Sequence, residues 1–216
     1  MKGLKENITG GFRMMLEHTI ITVSRQYGSG GREVCEWLSR KLGIPYYDRE
    51  ILMEAASKMG MSDIDYNTLN KMSYRTGRIT FGNSAFYPRD AHQVTDNHQM
   101  FFQQSVIIRK LADRGSAIFL GRCADFILEN YPQKYSFYTY ADKEFRKERA
   151  REKYNNLSLK ELDKIEAQRR AYYSKYTGRI LGDPYIYDML INTGKMPTEK
   201  AADLIISYIE KDQTKY

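Results

Sequence analysis

Residues 22–34 read TVSRQYGSGGREV. A β-branched start leads into a turn with glycine at 28, 30 and 31. Val34, Leu38 and Leu42 then repeat at i, i+4 and i+8, the spacing of one helix face. Few folds accommodate strand, glycine turn and helix in immediate succession. The helix carries the chain back along the sheet, so the next strand runs parallel, which predicts an α/β architecture. Glycines accept positive φ and let backbone N–H groups come close to an anion, and the following helix aims its unsatisfied N–H groups at the same point. Gly28, Ser29, Gly30 and Gly31 are therefore candidate phosphate-binding residues.

The familiar phosphate-loop signature GxxxxGK[ST] is not met. With Gly31 aligned on its second glycine, Gln26 takes the first, Arg32 the lysine and Glu33 the Ser/Thr. Arginine supplies the same charge as a planar fork suited to phosphate oxygens. Glutamate can hold Mg²⁺ directly or through water, making Glu33 a candidate metal residue. The plain alternative is a glycine turn followed by an acidic residue that favours the first helical turn.

Other apolar or aromatic runs at 18–24, 44–47, 116–121, 135–140 and 186–192 predict five strands, nearly continuous in apolar character as expected for strands covered on both faces. Helical spacing lies between and after them, at Ile51/Ala55, Val106/Ile107/Leu111, across 157–176, and at Ala201/Leu204/Ile205/Tyr208. The expected fold has three layers, with helices on both faces of a central parallel five-stranded sheet. With 216 residues, 42% hydrophobic, one domain over 18–216 is expected after a flexible lead-in at 1–17. Residues 62–96 form a long polar insertion, and 158–184 hold arginines, tyrosines and Gly178. The first fourteen residues lack a continuous apolar stretch, and Met14 or Met15 is a candidate natural start.

Ligands of open α/β sheets bind beyond the carboxyl ends of strands. Asp48 stands at the end of the second strand and is a candidate ligand residue or helix cap. Arg122 follows Gly121 at the end of the third, within reach of a phosphate or of a salt bridge. Asp125 can contact a ligand, pair with Arg122 or start the next helix. Arg169 and Arg170 beside a glycine hinge suit a closing segment that brings positive charge to transferring phosphates, or simply an exposed basic helix. Arg146, Arg149 and Arg151 can join them from the preceding helix.

The formal charge of +7 comes from 34 basic and 27 acidic residues, scattered without a run of five basic ones. Scattered arginines favour small phosphorylated ligands over a long polyanion, although 18 tyrosines beside arginines also suit a nucleic-acid surface. Two distant cysteines and three histidines without zinc spacing argue against disulfides and structural zinc and fit a cytoplasmic protein. No apolar run approaches the roughly 18 residues of a membrane helix.

In order along the chain, ITVSRQYGSGGREV, GIPYYDREIL, LGRCADFIL and RRAYYSKYTGRILGDPYIYDMLINTGK resemble the cytidylate kinase-like family, a branch of the P-loop nucleoside monophosphate kinases. The resemblance runs from about residue 20 to the C-terminus. It implies the nucleoside monophosphate kinase fold with an acceptor-binding insertion and an arginine lid. It also implies phosphoryl transfer from ATP, with Mg²⁺, to CMP or dCMP. Better-known cytidylate kinases have the ordinary loop lysine and GRD where this chain has GRC. Within this reading Gly28–Gly31, Arg32 and Glu33 serve the donor and its metal, Asp48, Arg122 and Asp125 the acceptor, and Arg32, Arg169 and Arg170 the transferring group. Small-molecule nucleotides are the expected partners of a monomer or weak homo-oligomer, without membrane or stable nucleic acid. A nucleotide-binding regulator without the chemistry and a basic nucleic-acid-binding protein remain the alternatives.

Overall fold

The computed structural model describes residues 18–48, 91–153 and 156–214, with the backbone alone over 91–100. Five strands, β1 (Ile20–Arg25), β2 (Tyr46–Tyr47), β3 (Ala117–Leu120), β4 (Lys134–Tyr140) and β5 (Met189–Asn192), pair in parallel in the order β2-β3-β1-β4-β5. Each falls within or one residue beyond the segment its apolar run predicts. The helices are α1 (Gly31–Leu42), α2 (Ala91–Ala112), α3 (Ala124–Ile127), α4 (Lys143–Lys153), α5 (Leu159–Thr177) and α6 (Thr198–Gln213).

Side chains alternate across each strand, so neighbouring residues enter opposite layers. Ile20 and Phe119 pack with Ile107 and Ile108 of α2, Leu128 beyond α3 and Tyr173 of α5. Ile21, Val23, Ile118 and Phe137 pack on the other face with Val34, Cys35 and Leu38 of α1 and with Ala201, Ile205 and Ile209 of α6. Strand residues are thus buried from both sides, which explains their unbroken apolar character. The result is the expected three-layer α/β fold, with helices on both faces of a parallel five-stranded sheet.

The sheet centre positions the site. β1 leaves through α1 on one face, while the chain leaving β3 and β4 supplies α3 and α5 to the other. Connections diverge around the carboxyl end of β1, the kind of position at which open α/β sheets bind their ligands. α5 begins with a reciprocal cap, in which Ser158 Oγ accepts the Glu161 N–H while Glu161 accepts the Ser158 N–H. It ends at Gly178, φ 70°. The lead-in at 1–17, the helix at Ile51/Ala55 and insertion residues 62–90 lie outside the described residues, while 91–96 open α2.

Candidate functional site

The glycine loop stands directly on the carboxyl end of β1. Gly28 and Gly30 have φ of 84° and 86°, a region that L-residues with side chains rarely occupy, so both positions depend on glycine. Gly30 is the N-cap of α1, which starts at Gly31 with its N-terminus at the loop. The loop is tied from behind. Gln26 N–H donates to the Thr139 carbonyl (2.8 Å), and Gln26 Oε1 accepts the Ala141 N–H (3.1 Å). Fully buried Ser29 shares a hydroxyl bond with Thr139 (2.9 Å), and its carbonyl accepts from Thr193 Oγ1 (2.5 Å). Thr193 follows β5, within the YDMLINT motif. β1, β4 and the end of β5 together fix the turn.

Arginines from two helices close on it. Arg146 of α4 is 2% exposed; its stem lies behind Gly28, and its guanidinium bonds Asp163 (2.9 Å). Arg149, one turn on, reaches Glu33, whose other oxygen takes Lys153 (2.5 Å). From α5, Arg169 Nη1 donates to the Arg25 carbonyl (3.0 Å), and its guanidinium lies 5.2 Å from the Tyr27 ring centroid. Arg170 bonds Glu166 (3.1 Å) and the Leu181 carbonyl (2.8 Å). Buried Glu166 also accepts the Tyr27 backbone N–H (2.8 Å), which joins the helix carrying both arginines to the loop itself.

The acceptor candidates stand along the same sheet edge. Asp48 follows β2, is 3% exposed, and pairs with Arg32 of α1 (2.6 Å), whose side chain is half-exposed. Beyond β3, Gly121, Arg122 and Cys123 have φ of 70°, 61° and 56°. Two side-chain-bearing residues in succession in the left-handed region store strain, and such strain concentrates at functional sites. Gln104 of α2 supports the turn by donating to the Arg122 carbonyl (3.1 Å). Asp125, 1% exposed, accepts the Tyr173 hydroxyl on Oδ2 (2.5 Å), while Oδ1 has no hydrogen-bond partner among the described residues. Burial raises the Asp125 carboxyl above its ordinary range. Cys35 and Cys123 are buried thiols, pushed up by desolvation.

The structure therefore gathers Gly28–Gly31, Glu33, Arg169 and Arg170 around one loop, with Arg146 and Arg149 beside them. Arg32 turns to Asp48. Thr139, Thr193 and Glu166 were not singled out in sequence. Glu166 did leave a signal: it precedes Arg169 and Arg170 by three and four residues, the helical spacing that brings a carboxylate against both.

Residues 20–195 match the profile of the cytidylate kinase-like family. The chain belongs to that family. Within it, the glycine loop and the α5 arginines lie inside the matched segment. A cytidylate kinase from Thermoplasma volcanium is 26% identical over 196 residues, covering 88% of this chain and 91% of the relative. Among solved structures, an uncharacterized protein from Eubacterium ventriosum superposes with a TM-score of 0.65 at 26% identity, covering 89% of this chain and 98% of that one. A gluconokinase from Sinorhizobium meliloti gives 0.55 at 15% identity, covering 91% and 94%, and shares the fold. A shikimate kinase from Acinetobacter baumannii, solved with shikimate, gives 0.52 at 14%, covering 94% and 98%, and again shares the fold. No helix among the described residues is long and apolar enough to cross a membrane.

Proposed function

We propose that this cytidylate kinase-like chain transfers the terminal phosphoryl group of ATP to a nucleoside monophosphate, with CMP and dCMP the leading acceptors. One observation carries the reading: a glycine loop at the start of α1 stands within reach of arginines from α4 and α5, at the centre of a parallel sheet's carboxyl edge. Family membership and the cytidylate kinase from Thermoplasma volcanium support the choice of acceptor.

An oxygen of the acceptor phosphate attacks the terminal phosphorus as the bond to the departing ADP oxygen breaks. Little covalent chemistry is asked of the protein, which must align the two phosphates and offset their charge. Backbone N–H groups of Gly28–Gly31 cradle the donor. Arg169 and Arg170 face the transferring group, and Asp48, Arg122 and Asp125 orient the acceptor. Mg²⁺ bound together with ATP would offset part of the phosphate charge. Glu33 would serve the ion only on leaving Arg149 and Lys153, and Asp48 only on leaving Arg32, so no step here depends on either. In this reading the chain acts in the cytoplasm on small-molecule nucleotides, without a membrane or nucleic-acid partner.

The test is ADP release from ATP with CMP, dCMP, UMP, AMP and a non-nucleotide hydroxyl acceptor. Release stimulated most by CMP or dCMP is expected. Tight ATP binding without ADP release from any acceptor would replace this reading with that of a nucleotide-binding regulator. Salt-dependent binding to random oligonucleotides, with no ATP binding, would replace it with a nucleic-acid-binding one.

A further inference from the structure

α1 begins at Gly31, and Gly30 is its left-handed cap. Registered on that helix start, the loop signature GxxxxGK[ST] places its second glycine at Gly30, its lysine at Gly31 and its Ser/Thr at Arg32. Its first glycine falls on Arg25. The register set by the fold is thus one residue earlier than the alignment on Gly31, and the lysine position holds no side chain at all.

The reason is spatial. A Cβ on Gly31 would stand 2.9 Å from Arg25 Cβ, 3.2 Å from Arg25 Cγ and 2.8 Å from Thr139 Oγ1. The stem of Arg25 fills the ground a lysine at 31 would need. At the other end, a Cβ on Gly121 would stand 1.7 Å from Arg25 Nη1. Arg25 therefore runs from the last residue of β1, past the start of α1, to the strained turn after β3. Two glycines on separate elements make room for this one arginine, whose carbonyl is held by Arg169 (3.0 Å).

We propose that the Arg25 guanidinium is the cation of this phosphate loop, replacing the missing lysine from the opposite end of the motif and binding the terminal phosphates of the donor. This rests on the proposed ATP-dependent reaction and assigns its charge to a residue outside the expected set. A side chain at position 31 would meet both Arg25 and Thr139 Oγ1, so the arginine stem is one of two groups that bar a lysine there.

The experiment compares ATP and AMP binding by calorimetry for the wild type, Arg25→Ala, Arg25→Lys and the double variant Arg25→Gly/Gly31→Lys, with folding checked by circular dichroism. Arg25→Ala is expected to lose ATP affinity by about 30-fold, the scale of a charge-assisted hydrogen bond, while AMP affinity stays within about twofold of the wild type because the lost charge faces the terminal phosphates. The double variant, which moves the cation to the lysine position, is expected to recover at least about tenfold of that loss on the same scale. ATP binding by Arg25→Ala equal to the wild type overturns the assignment. If Arg25→Ala does not fold, a folded double variant or Arg25→Lys decides the matter: ATP discriminated from AMP only where a cation is restored supports it, and indifference to the cation overturns it. ATP binding that depends on Arg25 without ADP release would leave this assignment standing while refuting phosphoryl transfer. A wild type that does not bind ATP refutes both.

Discussion

The Glu166 carboxylate accepts the Tyr27 backbone N–H at 2.8 Å. A carboxylate from α5 therefore stands on an amide of the glycine loop, with Arg170 bonded to its other oxygen. Glu166→Gln keeps an acceptor for the amide but withdraws the charge. Urea unfolding is expected to show a loss of about 1.5–3 kcal/mol, the range for a hydrogen bond to a charged partner. Inorganic triphosphate should bind more tightly, because one negative charge has left the loop. Unchanged stability and unchanged triphosphate binding would show that the contact matters to neither.

Arg170 lies on the same helix, is bonded to Glu166 and is less enclosed than Arg169. Arg170→Ala is expected to lower kcat by about 10²–10³-fold, the effect of removing one electrostatic donor from a transition state. The KM for the acceptor should move much less. Arg170→Lys should recover only part of the rate, since an ammonium cannot reproduce the guanidinium fork that joins Glu166 to the Leu181 carbonyl. A rise in KM with kcat unchanged would place Arg170 in ground-state binding instead.

Thr193 Oγ1 donates a hydrogen bond to the Ser29 carbonyl from 164 residues away in sequence. Thr193→Val has nearly the same shape but leaves that buried carbonyl without its donor. The expected cost is about 1–3 kcal/mol in urea unfolding, together with weaker ATP binding as the loop loses its anchor. Wild-type stability and wild-type ATP affinity together would contradict this role.

Asp125 sets a pH dependence. Burial raises its carboxyl above the ordinary 3.8, so over a window starting there and ending at the folded value the folded chain retains a proton that the unfolded chain has released. The native state then binds more protons than the unfolded state, and stability falls as pH rises through that window. Asp125→Asn removes the titration. The difference in Tm between Asp125→Asn and the wild type should therefore widen in favour of the variant as pH rises from about 4, near the unfolded carboxylate value. A constant difference would mean that Asp125 titrates normally.

The sequence by itself determined the five strands, their parallel pairing and the place of the glycine loop. Each is encoded over a few residues: in unbroken apolar runs such as 117–120, in the i, i+4, i+8 spacing of Val34, Leu38 and Leu42, and in glycines at 28 and 30 where φ is positive. Periodicity and turn chemistry are local and survive without knowledge of the neighbours. The tertiary structure alone decided which charges from distant segments meet. Glu33 sits where a metal residue was expected, yet it meets Arg149, 116 residues away. Arg32 turns to Asp48, and the space before Gly31 belongs to Arg25. A side chain's partner depends on which other elements fold against it, and that packing is settled only when α4, α5 and the ends of β3 and β5 converge on one sheet edge.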